Sequence, residues 1–392
     1  MFKKLKRNIF ALGFVSFFTD LSSEMVLSLL PTFIISLPGS SVAFLGLIEG
    51  IAESLSYGMR AISGFFSDKL GKRKSIVFVG YGISNVIKPF FGVVNSSFGA
   101  LTIRVFDRVG KGIRTAPRDA LICDSTPEEN RGTAFGLHRT LDQSGAILGP
   151  LLASGLLIFL GYTVREVFWV SILPGLVALM ILFFLVKERS CKTGDNFTFL
   201  TGLKNVLRKD FLWLLTIVSV FSLGAFNFSF ILLYGSEVGI TNDYIPLLFA
   251  LVNIAHVIVA IPSGLLADKI GREKMLFFGY IVFLAVSLTI FFGSKSYFVA
   301  LAAAVLFGLY QGIVNTVTRA MIPKHVKPNL VATAYGIYYL VVGFSFLFAN
   351  LVVGLLWANF GANLSALYST ISTIISLLGL AIFINRNQKL NH

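Results

Sequence analysis

Long apolar runs separated by short polar breaks recur along the chain from near residue 9 to near residue 384. A helix needs about 20 apolar residues to cross the hydrocarbon core of a bilayer. Twelve runs reach or approach that length, at 9–37, 42–66, 75–94, 98–122, 133–160, 164–186, 211–234, 244–266, 275–292, 296–321, 332–357 and 364–384. Six precede and six follow one long polar stretch, KERSCKTGDNFTFLTGLKNVLRKD, over 187–210. The pattern predicts an all-α integral membrane protein of twelve transmembrane helices. Its six-helix bundles are expected over 1–186 and 211–392, joined by a cytoplasmic linker over 187–210.

The two sets of six are copies of one another. GFFSDKLGKRK starts at Gly64 and GLLADKIGREK at Gly264, TAFG starts at Thr133 and TAYG at Thr333, and Gly112 is matched by Gly312. All three matches share an offset of 200 residues in a chain of 392, and one offset recurring at separate places marks an internal duplication. A repeat with an even number of spans ends on the side where it began. The two repeats therefore insert in the same orientation, related by an axis along the membrane normal.

Composition sharpens this picture. Hydrophobic residues make up 55% of the chain, charged residues 13%, and the mean hydropathy is +0.81, values that exclude an ordinary soluble domain. Lys and Arg crowd the N-terminus (MFKKLKR) and residues 69–74, 187–209, 269–274 and 324–327, whereas the alternate loops near Gly39, Asn95, Thr241 and Trp357 have almost none. The positive-inside rule then places both termini in the cytoplasm, and the expected location is the cytoplasmic (inner) membrane. The net charge of +14 reflects contact with an anionic lipid leaflet, so the bilayer is the expected partner and nucleic acid is not. The first apolar stretch is too long for a signal peptide. Cys123 and Cys191 both fall on the cytoplasmic side, where no disulfide is expected. With no metal-ligand cluster, nucleotide loop or His beside a credible nucleophile, the sequence predicts neither an enzyme nor a cofactor nor a metal.

The chemistry is concentrated in the first half. Helix 4, LTIRVFDRVGKGIRTAPRDALI, carries Arg104, Asp107, Arg108, Lys111, Arg114 and Arg118 within one apolar run. At about 100° per residue the cations form a stripe on one side, and a charge at the bilayer centre costs on the order of 3 kcal/mol. That stripe must face protein or water. Acids stand ready to neutralise it: Asp20 and Glu24 share a face of helix 1, and Glu49 and Glu53 share a face of helix 2 that Arg60 continues. Lys88 in helix 3 and Arg139 with Asp142 in helix 5 add further charge. Paired acids in a low dielectric resist double ionisation, which suits proton carriage. Glu49 and Glu53 serve equally well as a gate between helices 2 and 11. The second half offers Asn227, Asn253, His256, Gln311 and Arg319, with Asn253 at the position repeating Glu53. The halves thus read as specialised, ionic coupling in the first and a neutral, aromatic wall in the second.

The repeated loop segment resembles the signature G-x-x-x-D-[RK]-x-G-[RK]-[RK] of the major facilitator superfamily, and the resemblance covers essentially the whole chain. Gly64 and Gly264 would allow close helix approach, and Gly71 and Gly271 a tight turn. Asp68 and Asp268 would bind a helix N-terminus or an Arg of the neighbouring bundle, latching the cytoplasmic face. Helix 5 carries Gly136, Gly145, Gly149 and Pro150, which resembles the superfamily's antiporter motif G-x8-G-x3-G-P-x2-G-G with Ala153 and Ser154 replacing the last glycines. Arg108 with Gly112 resembles the helix 4 motif associated with proton coupling, with Lys111 where Gln is usual. Arg114 and Arg118 lie toward the cytoplasmic end, where a latch to Asp68 or to the 4–5 loop competes with substrate contact. FTDLSSEM, LIEGIAES and DRVGKGIRTAPRDALI together resemble a poorly characterised bacterial branch of the superfamily, a resemblance that brings no substrate with it.

These features imply a secondary active transporter that moves a small molecule by alternating access. Protonation of Asp20 or Glu24 is expected to change the pairing with Arg108 and so couple transport to protons. Efflux by antiport stands ahead of uptake of an organic anion or siderophore-like solute by symport, and the protein is expected to be a monomer. A non-transporting receptor or lipid-handling protein on the same fold is the rival of another class, and a channel is disfavoured by the asymmetric charge. Helix 4 favours an anion and the acids of helices 1 and 2 a cation, so counting charges leaves the substrate open.

Overall fold

The computed structural model describes residues 7–127, 131–188, 207, 209–322 and 331–390. Twelve helical spans follow in order: α1 Arg7–Ser36, α2 Val42–Leu70, α3 Arg73–Val93, α4 Ser97–Asp124, α5 Arg131–Leu160, α6 Val164–Leu185, α7 Phe211–Glu237, α8 Ile245–Ile270, α9 Arg272–Phe292, α10 Tyr297–Met321, α11 Val331–Phe360 and α12 Ala362–Leu390. No strand occurs among the described residues. Eleven spans are long and apolar enough to cross a membrane on composition alone. The twelfth, α4, has 28 residues and a length of about 42 Å, and only its charges remove it from that set.

Four spans are interrupted where the apolar pattern predicts continuity. α1 breaks at Ser28–Leu29 ahead of Pro31, α3 tightens into a 3-10 helix at Lys88 beside Pro89, and α6 breaks at Ser171 ahead of Pro174. Proline has no N–H to donate and frees a carbonyl one turn back. Hydroxyls serve neighbouring carbonyls here: Ser28 Oγ donates to Met25 O at 3.0 Å and Ser171 Oγ to Phe168 O at 2.6 Å. In α7 the helix lapses between Gly224 and Phe228 and restarts on Asn227, whose Oδ1 accepts from Ser229 N at 2.9 Å. These breaks were invisible to a hydropathy pattern because they cost no apolar residues.

Contacts divide the chain into two units. The first comprises Met1–Ser40, Ile51–Asp195 and Thr241–Ala250, and the second comprises Ser41–Gly50, Asn196–Ile240 and Leu251–His392. The exchanged segments, 41–50 and 241–250, are themselves 200 residues apart. In the first unit α1 packs on α5 and α6, and α3 on α4; in the second, α7 packs on α11 and α12, and α9 on α10. The same plan reaches single residues. A Cβ at Gly112 would lie 2.6 Å from Ser56 O, and one at Gly312 2.5 Å from His256 O. Ser96 and Ser296 cap α4 and α10, each accepting from the backbone N–H three residues on. Duplication is thus expressed as repeated backbone-to-backbone contact, which tolerates no side chain at those glycines.

Candidate functional site

Within the first unit, helical spacing places one polar face on each of several neighbouring helices. α1 presents Ser16, Thr19, Asp20, Ser23 and Glu24; α3 presents Ser84, Asn85 and Lys88; α4 presents Arg104, Asp107, Arg108, Lys111 and Arg114. α2 adds Glu53 and Arg60, and α5 adds His138, Arg139 and Asp142.

These faces meet in a buried network. Asp107 accepts from Ser84 Oγ at 2.6 Å and from Arg104 Nη1 at 3.3 Å. Arg104 is 0% exposed. Lys88 donates to Ser23 Oγ at 2.5 Å and to Asn85 Oδ1 at 3.1 Å, and Asn85 Nδ2 donates to Thr19 Oγ1 at 3.2 Å. Arg108 pairs with Glu53 at 3.3 Å. Asp142 accepts from Arg139 Nη1 at 3.0 Å and from Ser16 Oγ, and it faces the carboxyl of Asp20. Glu24 Oε2 has no hydrogen-bond partner among the described residues, and the charges facing Glu24 are Lys111, Arg108, Arg104 and Lys88. Lys111 faces Arg108, Asp20, Glu53 and Glu24.

Several sequence expectations change. The ion pair that Arg108 shows among the described residues is with Glu53 of α2, while Glu24 of α1 only faces it; Asp20 faces Asp142 of α5. The reason is helix order: α1 packs along α5, so the Asp20 face turns to that neighbour. Arg114 is not a terminal latch. It is 3% exposed, with its guanidinium 4.4 Å from the centre of the Tyr81 ring, where Gly80 and Gly110 let α3 and α4 come together. Arg118 bonds Asp119 at 2.9 Å. Glu49 and Glu53 do not act as one pair. Glu53 stays in the network, whereas Glu49, 0% exposed, accepts from Asn227 Nδ2 at 3.2 Å within the second unit. Asn350 Oδ1 accepts from Asn227 N at 3.0 Å, which joins the half-helix start of α7 to α11. Asn253 and His256 are buried in α8, and Gln311 is half-buried in α10.

Among the glycines, Gly145 and Gly149 press on the α1 backbone at Phe17 and Leu21, and Pro150 lies inside the same helix. A side chain at Gly136 would meet nothing within 4 Å among the described residues, so close packing is not its role. At Gly64 and Gly264 a Cβ would sit at ordinary distances of 3.4 Å and 3.5 Å, so neither is required by helix approach. Gly71 and Gly271 turn with φ of 62° and 101°. Asp268 pairs with Arg272, one turn on, at 3.6 Å, with its side chain 70% exposed. Asp68 and Arg319 have side chains outside the described residues, as does Cys191.

Residues missed from sequence are the neutral ones. Ser84 and Asn85 share a face with Lys88 and were legible from spacing; Asn350 is a lone polar residue in an apolar run, without such a signal. A separate 490 Å³ cavity beside the 37–38, 95 and 163–165 segments, lined by Thr32, Ser36, Asn95, Thr163 and Arg165, contains none of the network residues.

Comparison with known proteins agrees with this architecture. The family model described as Major Facilitator Superfamily matches residues 12–234 and 212–391. An uncharacterized MFS-type transporter of Methanocaldococcus jannaschii is 36% identical over 382 residues, 95% of this chain and 94% of that one. The multidrug resistance protein MdtG of Proteus mirabilis is 24% identical over 286 residues, 70% of each chain. Among solved structures, that of the nucleoside transporter NupG superposes with a TM-score of 0.75 at 13% identity, covering 97% of this chain and 99% of that one. With a duplicated twelve-span helical fold and a family match across both repeats, the chain belongs to the Major Facilitator Superfamily and is a multi-pass membrane transporter, not an enzyme.

Proposed function

We propose that this transporter is a proton-coupled antiporter of the cytoplasmic membrane, a monomer with both termini in the cytoplasm, that exports a small molecule by alternating access. The placing of Asp20 on α1 and Asp142 on α5 opposite one another, on helices at backbone contact, carries this reading. Two carboxyls facing one another in a low dielectric resist double ionisation, because two carboxylates so placed repel, and this favours one proton held by the pair. Loss of the proton sets Asp20 against Asp142 and favours its pairing with Lys111, the cation facing it. A proton thereby trades one interhelical contact, α1 to α5, for another, α1 to α4. That difference in contacts is what biases a two-state carrier. Gly145 and Gly149 hold α1 and α5 at backbone contact around this pair, so their separation is sensitive to it. Export is favoured by the antiporter-like helix 5 motif and by the similarity to MdtG.

The test uses proteoliposomes loaded with pyranine and a small-molecule extract of bacterial cells, then diluted into acidic medium. Antiport brings protons in as solute leaves, so the lumen acidifies faster than in vesicles lacking either protein or extract. Asp20→Asn is expected to abolish the extract-dependent component. Unchanged acidification in that variant, or none in the wild type, would remove the coupling assignment.

A further inference from the structure

The ion pairs of the first unit do not balance. Arg104 is matched by Asp107, Arg108 by Glu53, Arg118 by Asp119, Arg139 by Asp142, and Arg73 by Asp124. Three interior cations are left without a carboxylate within salt-bridge distance among the described residues: Lys88, Lys111 and Arg114. Lys88, 1% exposed, donates to the neutral oxygens of Ser23 and Asn85, and the Asp107 carboxylate faces it without a salt bridge. Arg114, 3% exposed, rests on the Tyr81 ring, and its Nη1 has no hydrogen-bond partner among the described residues. Lys111 lies one turn before Arg114 on α4. Against these stands Glu24, which shows no ion pair among the described residues and whose Oε2 has no hydrogen-bond partner among them.

An uncompensated cation in a low-dielectric interior is strongly unfavourable, and ionisable groups at membrane depth pair with something or line a path for it. Glu24 faces both Lys111 and Lys88 without an ion pair or hydrogen bond to either among the described residues, so an anion that bonded these cations would meet an unfilled demand and not break an existing pair. A guanidinium with a free N–H and two ammonium groups match an oxyanion: the former offers directed donors and the latter point charges. On the strength of the transporter reading above, we infer that the transported solute is a small anion bearing a carboxylate or phosphate group. Its oxyanion is held by Lys111, Arg114 and Lys88. Glu24 is the resident counter-charge that it displaces. A cationic drug, the other class the sequence left open, would meet three cations and one acid.

The experiment measures binding without any gradient, so it stands apart from the proton-coupling test. A small-molecule extract of bacterial cells is separated by ion exchange into acidic, basic and neutral fractions, and each is titrated against the melting temperature of the purified protein. The acidic fraction is expected to raise it saturably by a few degrees. Lys111→Gln weakens that response by about tenfold in half-saturating concentration, Arg114→Lys retains part of it, and Glu24→Gln strengthens it by removing the competitor. Phosphatase treatment of the acidic fraction separates phosphate from carboxylate solutes. Stabilisation by the basic or neutral fraction instead, no stabilisation by any fraction, or an unchanged response in a folded Lys111→Gln protein overturns the inference. If anion binding persists while Asp20→Asn transports normally, the coupling assignment fails and the anion assignment stands.

Discussion

Replacing Asp107 with Ala tests whether the α4 network is held by charge pairing or by shape. Arg104 is 0% exposed and bonds Asp107 at 3.3 Å, so removing the carboxylate takes this acid partner from a guanidinium that water cannot reach. Breaking a buried pair from one side costs about 3–5 kcal/mol, and the insertion cost of a central charge, about 3 kcal/mol, falls at the same level. Ser84 loses its acceptor as well, which adds about 1 kcal/mol. Arg104→Met costs less, because Asp107 keeps Ser84 and still has Lys88 and Arg108 facing it. The double variant Arg104→Met/Asp107→Ala removes both charges and is expected to lie within about 2 kcal/mol of wild type once the remaining partners relax. The assay is a double-mutant cycle on reversible unfolding in mixed micelles, with a coupling energy of about 2–4 kcal/mol expected. A cost below about 1 kcal/mol for Asp107→Ala, or simple addition of the two single effects, would refute the reasoning.

Three smaller tests follow from the packing. Gly112→Ala and Gly312→Ala place a methyl about 2.6 Å and 2.5 Å from a facing carbonyl oxygen, and each should destabilise the protein by about 1–3 kcal/mol in thermal unfolding. Gly64→Ala and Gly264→Ala make ordinary contacts at 3.4 Å and 3.5 Å, so they should be neutral or stabilise by up to about 1 kcal/mol through helix propensity; a loss above that would show that these glycines serve packing after all. Asn227→Ala removes the cap of the restarted α7 helix and the donor to Glu49, and should cost about 1–2 kcal/mol, whereas Asn227→Ser retains the cap and should recover part of it.

The fold was legible because a bilayer leaves little choice. Backbone groups without water must bond internally, so each apolar run of sufficient length becomes a helix. Even α4, too charged to register as apolar, was recognisable because its charges keep to one face. The helix breaks were not legible. Pro31, Pro89 and Pro174 mark three of them in hindsight, but proline is tolerated in membrane helices, and only packing decides whether the helix bends or stops. The α7 break has no proline; Asn227 ends it by offering a cap, with Asn350 and Glu49 as distant partners.

The sequence by itself determined the duplication at an offset of 200, the number of spans and which residues had to be shielded from lipid. Those properties follow from composition, periodicity and the cost of exposing charge to hydrocarbon, each a property of one helix at a time. Tertiary structure alone decided which charges meet: Glu53 pairs with Arg108, Asp107 with Arg104, Asp20 faces a second acid, Asp142, and among the described residues Lys88, Lys111 and Arg114 have no carboxylate within salt-bridge distance. Pairing depends on which helices are neighbours and how each is rotated. An interaction that falls off within a few ångströms cannot be read from spacing along the chain.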